Sequence, residues 1–122
     1  MTFKDFVKKS IEQDERNVFE PSDDTLEIIP EIMKDFYKYS NPIDVEVSIN
    51  DASVHFFPID EIEELQEEYK LGKDKFVFAS CNGDPVYLEK NTVSSGVFGS
   101  KGFISEVLAN DIFTYLEKIN SV

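Results

Sequence analysis

The segment Phe76-Val77-Phe78-Ala79-Ser80-Cys81-Asn82-Gly83 constrains the fold more than any other stretch of the chain. A nearly all-apolar run is followed at once by Asn-Gly. A type I′ turn needs positive φ at both central residues, and Asn-Gly meets that need at little strain, so the pair marks a hairpin. Pro85 to Glu89 is the returning strand. A run that is apolar on both faces belongs in the middle of a sheet. Such a pair is not stable alone, so other strands and helices must cover it.

Those elements can be read from the changing period of the apolar residues. From Asp44 the period is two: Val45, Val47 and Ile49 alternate with Glu46, Ser48 and Asn50, as in a half-buried strand. Asn50-Asp51 signals a turn, Ser53 to Phe57 a second strand, and Val93 to Phe98 another. Elsewhere the period is helical. Residues 2–15 place Phe3, Phe6, Val7 and Ile11 on one side, with Thr2 as N-cap. The polar stretch Arg16 to Asp24, which holds Pro21, reads as a loop, and Ser22 as the cap of a short helical piece through Leu26, Ile28 and Ile29. Pro30 opens a helix reaching about Tyr39 with Ile32, Met33, Phe36 and Tyr39 as its stripe, and Asn41-Pro42 stops it. Residues 59–69 form a helix with Ile59, Ile62, Leu65 and Tyr69 inward. A closing helix is expected from Ser105 to Ile119, with Leu108, Ile112, Tyr115, Leu116 and Ile119 facing the core. The expectation is one α+β domain over residues 1–122: a mainly antiparallel sheet of about five strands with helices packed on one face.

Composition narrows the function. The chain has 122 residues, 41% of them apolar and 11 of them Phe, enough for one core and too few for two. No apolar run approaches the roughly 18–20 residues that span a bilayer. The first residues lack the apolar core of a signal peptide, and Cys81 is the only cysteine, so the expected location is cytoplasmic. Twenty-five acids against 12 bases leave a net charge of −13. Such a field repels nucleic acid and anionic membrane, and it draws in a basic protein partner. Plain solubility is the alternative reading of the same charge.

Candidate chemistry is sparse. His55 is the only histidine, and without a second histidine or a cysteine pair it does not complete a zinc site. Cys81 with His55 and Asp84 as helpers would be a nucleophile, but a cysteine ending an apolar strand reads more simply as a small hydrophobe. Gly96, Gly99 and Gly102 match neither phosphate-binding glycine pattern and read as a strand end and loop. No catalytic residue, metal ligand or cofactor site is assigned. The acidic run stands out: Asp60, Glu61, Glu63, Glu64, Glu67 and Glu68 fall within nine residues. It lacks the ligand spacing of a calcium loop. It is either a solvated helix face or a docking surface. The candidate partner-binding residues are Asp60, Glu63, Glu64, Glu67 and Glu68, then Asn82 and Asp84 at the hairpin rim. The sequence leaves the oligomeric state open.

Several segments, in order, resemble the SUKH superfamily, which includes bacterial toxin-immunity proteins and a yeast cell-wall-synthesis regulator. Ile29-Pro30-Glu31-Ile32-Met33-Lys34-Asp35-Phe36-Tyr37 is similar to its Leu-Pro helix. Phe57-Pro58-Ile59-Asp60-Glu61-Ile62 resembles its strand leading into a short helix. Phe78 to Leu88 resembles its central hairpin, and Gly96-Val97-Phe98 with Ile112-Phe113 and Tyr115-Leu116 its closing elements. Ser40-Asn41-Pro42 stands where the family usually has a glycine-containing turn. The resemblance covers most of the chain from about residue 22. It implies an immunity protein that binds and neutralises a polymorphic toxin, commonly a nuclease, and it carries over no catalytic residues. A regulatory scaffold domain with an endogenous partner is the second implication; a small enzyme with a concealed site is the third reading.

Overall fold

Hairpins set the sheet. The computed structural model describes residues 2–121. Its strands are β1 (Val18–Glu20), β2 (Asn41–Ile49), β3 (Ala52–Phe56), β4 (Lys75–Cys81), β5 (Asp84–Glu89), β6 (Thr92–Gly99) and β7 (Gly102–Ala109). Each pairs antiparallel with the next in sequence, giving one seven-stranded meander in the order β1 to β7. Two turns meet the left-handed requirement with consecutive positive φ: Asn50-Asp51 at 53° and 66°, and Asn82-Gly83 at 53° and 87°.

The α+β class stands, but about five strands was too few. The first extra strand, β1, is three residues long and pairs with Asn41 to Asp44. It is too short to show a period, and Arg16 to Asp24 looked like loop for that reason. The second, β7, replaces the front half of the expected closing helix. Gly99 pairs with Gly102 across Ser100-Lys101, so the glycine run is a hairpin turn rather than a strand end and loop. The helix starts only at Ile112, where Asp111 caps it by accepting a hydrogen bond from the Thr114 N–H at 2.8 Å.

The helices are α1 (Phe3–Gln13), α2 (Glu31–Ser40), α3 (Ile62–Tyr69) and α4 (Ile112–Glu117). None is long and apolar enough to cross a membrane. Thr2 caps α1 in a reciprocal box with Asp5. The expected helical piece after Ser22 is absent. The Ser22 hydroxyl accepts from the Asp24 N–H instead, and Pro30 keeps Ile29 out of helical backbone, which leaves Ile28 48% exposed. Phe56 lies at the core's centre, its ring 5.2 Å from Phe6 of α1, 6.3 Å from Phe36 of α2 and 5.9 Å from Phe78 of β4. Tyr115 of α4 meets Phe78 edge-on at 6.4 Å.

In β2 and β4, flanks that no neighbouring strand reaches are closed by side-chain carboxamides. β3 pairs with β4 only at Ala79, Ser80 and Cys81. Below that level Gln66 of α3 takes the strand's place. Its Oε1 accepts from the Val77 N–H at 2.8 Å and its Nε2 donates to the Val77 C=O at 2.7 Å. Gln13 of α1 does the same for Ser48 of β2, with both contacts at 2.9 Å. Asn17 accepts from the Glu46 N–H at 3.0 Å. An unmet buried backbone group costs about 1–3 kcal/mol, so Gln66→Ala is expected to lower stability by that order in urea denaturation, and Gln66→Glu by part of it. A loss no larger than that of the exposed Glu67→Ala would show that Gln66 is not the clamp.

Candidate functional site

The acidic helix takes its shape from two inward residues. Ile62 and Leu65 are buried, so Glu63, Glu64, Glu67 and Glu68 point to solvent, and Asp60 is exposed in the 3-10 turn Ile59–Glu61 that precedes α3. The helix ends at Lys70, in left-handed backbone with φ 53°. Ion pairs lie elsewhere: Asp14 with Arg16, Glu31 with Lys34, and Lys75 with Asp74 and Glu89. Among the described residues none of the four glutamates of α3 is in an ion pair, so their charges stay available.

The second candidate region adjoins the first. The Tyr69 hydroxyl, at the end of α3, donates to the Gly83 carbonyl at 2.7 Å and ties the helix to the Asn82-Gly83 turn. Burial, and then the charges of Glu68 and Asp84, hold that hydroxyl above its ordinary pKa. Helix and turn therefore act on one group from two sides. Asn82 is exposed, and Asp84 is half-buried opposite Cys81 as the closing pair of the hairpin.

The sequence reading missed Glu27 and Ile28. They line an open cleft of about 850 Å³ together with Glu63 and Glu67 of α3, the lysines Lys70, Lys73 and Lys75, and the edge of the buried Phe76. The signal was available, since Pro30 disfavours the helix that would have turned Ile28 inward. A smaller cleft of about 470 Å³ lies between the loop carrying Glu27 and α2, walled by Asp23, Asp24 and Asp35, with Lys34 and Lys38. The buried Tyr37 lines it, and burial alone pushes its hydroxyl pKa up, so it stays protonated.

The residues weighed for catalysis do not converge. His55 pairs with Ser80 across β3 and β4, and Cys81 with Val54. Successive residues on a strand face opposite ways, so imidazole and thiol stand on opposite sides of the sheet. His55 packs edge-on against Phe57 at 4.8 Å. Among the described residues no group of three or more acidic, histidine or cysteine side chains is placed to hold a metal ion. No protein-family model, curated protein or solved structure matches the chain.

Burial first, and then the charge of Asp84 opposite, raise the Cys81 thiol pKa. The thiolate is thus disfavoured, and alkylation by iodoacetamide is expected to be slow at neutral pH, with its pH midpoint above that of a free cysteine. Asp84→Asn removes one cause and should lower the midpoint. An unchanged midpoint would mean that the carboxylate does not act on the thiol.

Proposed function

We propose that this protein works by binding a basic protein partner, and that the partner is a toxin domain which it neutralises. The observation that carries the binding half is the surface just described. Glu63, Glu64, Glu67 and Glu68 carry no ion pair among the described residues, and one hydrogen bond joins their helix to the Asn82–Asp84 turn. With a net charge of −13 behind it, this surface speeds the approach of a positive domain. The cleft beside it offers the half-exposed Ile28 to an apolar part of the same partner. The resemblance to SUKH proteins supports the toxin half, and with it a SUKH-like fold, a cytoplasmic location and a role without catalysis, metal or cofactor. A regulatory role with an endogenous partner would use the same surface.

Expressing a toxin domain encoded next to this gene, alone and with this protein, separates the two. Immunity predicts that growth fails with the toxin alone and recovers with both. A harmless neighbour, or equal killing in both cultures, removes the immunity reading. Association should slow as salt rises and the screening length falls from roughly 30 Å to below 10 Å. Reversing Glu63, Glu64, Glu67 and Glu68 to Lys should slow it further without unfolding the chain, since all four are exposed. Protection that survives the reversals at normal expression would move the docking surface elsewhere.

A further inference from the structure

The β6–β7 hairpin is unlike the rest of the surface. Phe98 is 65% exposed, Val107 63%, Ile104 59% and Val97 42%. Val97 lies opposite Ile104, and Phe98 opposite Phe103, so both faces of the hairpin are apolar. Between Thr92 and Ala109 the only charges are Lys101 and Glu106, and they cancel. A neutral arm on a chain of −13 is a poor target for a basic partner. At the base of the arm the Phe103 ring lies over Gly96, and a Cβ there would push the ring aside.

Its outer edge is also bare. Gln13, Asn17 and Gln66 close the flanks of β2 and β4, and the opposite rim of the sheet, β1, is only three residues long. β7 has eight residues, and among the described residues no hydrogen bond outside its ladder with β6 involves the backbone of residues 102–107. A long, apolar, unguarded edge strand is a template for pairing.

The register selects the partner. In a two-residue hairpin the closing pair, Gly99 and Gly102, bond to each other, so Phe103, Ser105 and Val107 turn their N–H and C=O outward. We propose that β7 pairs antiparallel with β7 of a second copy of this chain, about a two-fold axis at Ser105. Phe103 then lies opposite Val107 of the other copy, and Ile104 opposite Glu106, with the outward groups of both strands bonded. Centring the axis one residue later would oppose the two Glu106 carboxylates, which is unfavourable. A second copy thus completes a continuous sheet, on a surface separate from the acidic one, and the inference does not depend on the toxin reading.

Sedimentation of the whole chain over a wide concentration range should show a dimer that tightens as salt rises, because two copies of −13 repel each other. That trend is opposite to the one expected for a basic partner. Ile104→Lys and Val107→Lys, both at exposed positions, should each weaken the dimer by about tenfold or more with the fold intact. In a Cys81→Ala background, Ser105→Cys should form a covalent dimer on mild oxidation. Paired Cα atoms there lie about 5.5 Å apart, inside the disulfide range of about 4.4–6.8 Å. Val107→Cys, about 13 Å from its counterpart in this register, should not. A monomer at every concentration overturns the proposal. So does a dimer indifferent to both lysines, or one linked equally well through residue 107.

Discussion

Glutamine side chains that stand in for missing strands fix the arrangement of this fold. Backbone groups inside a fold must be paired somewhere, and a carboxamide, with a carbonyl and an N–H side by side, can meet both groups of one residue as a neighbouring strand would. Gln66 meets both groups of Val77, and Gln13 both groups of Ser48. Each bond pair sets where a helix sits along a strand. Gln13 places α1, and so its Phe6, against Phe56; Gln66 places α3, and so its outward glutamates, beside the central hairpin. Asn120 continues the same logic at the chain's end, accepting from the Ser48 hydroxyl and the Asp51 N–H and donating to the Asp51 carboxylate.

Much of this is legible in the sequence alone. The Asn82-Gly83 turn, the two-period of Val45, Val47 and Ile49, and the helices α1, α2 and α3 are local signals that the structure keeps, but two expected stripe residues face out: Ile11 is 43% exposed and Tyr39 62%, while Ser10 and Tyr37 are buried. The acidic residues of α3 were also placed correctly on its outer side, since the spacing of Ile62 and Leu65 decides that. The failures have physical causes. Ile112, Tyr115 and Leu116 do have helical spacing, and Leu108 continues that phase backward past Asp111, whose capping side chain marks the true start. Ile104 and Val107 are β-branched and belong to a strand, but β7 has polar and apolar residues on both faces and no clean alternation. The carboxamide clamps were invisible, because Gln66 and Val77 meet only after the intervening loop closes. The joining of α3 to the hairpin rim through Tyr69 is tertiary in the same way.

The acidic ridge is affordable because α3 does not depend on its surface. Like-charge neighbours four residues apart cost a helix roughly 0.2–0.5 kcal/mol each. Burying Ile62 and Leu65, at 0% and 3% exposure, contributes roughly 1.5–3 kcal/mol each, and the Gln66 clamp adds to that. The inward face wins by a clear margin. Glu63, Glu64, Glu67 and Glu68 are thus free to serve a charge-seeking partner without loosening the helix, and reversing their sign leaves what holds α3 in place untouched.

The β6–β7 hairpin is apolar and almost uncharged whereas the outer side of α3 is acidic, and that difference allows two kinds of contact. At physiological salt the screening length is about 8 Å, so a strand pair at β7 responds to nearby charges rather than to the total. Those charges are Lys101 in the turn, Glu106, and Lys118, whose ammonium donates to the Leu108 carbonyl, and in the proposed register Glu106 faces Ile104. Two copies therefore repel at a distance and are nearly indifferent electrostatically at contact, where the exposed side chains of Val107, Ile104 and Phe98 decide the outcome. A basic domain meets the reverse situation: it is drawn from afar to α3 and finds nothing of opposite charge on the hairpin beyond Glu106. On the two proposals together, one acidic chain discriminates between partners by range, using electrostatics for the foreign domain and short-range burial for its own copy.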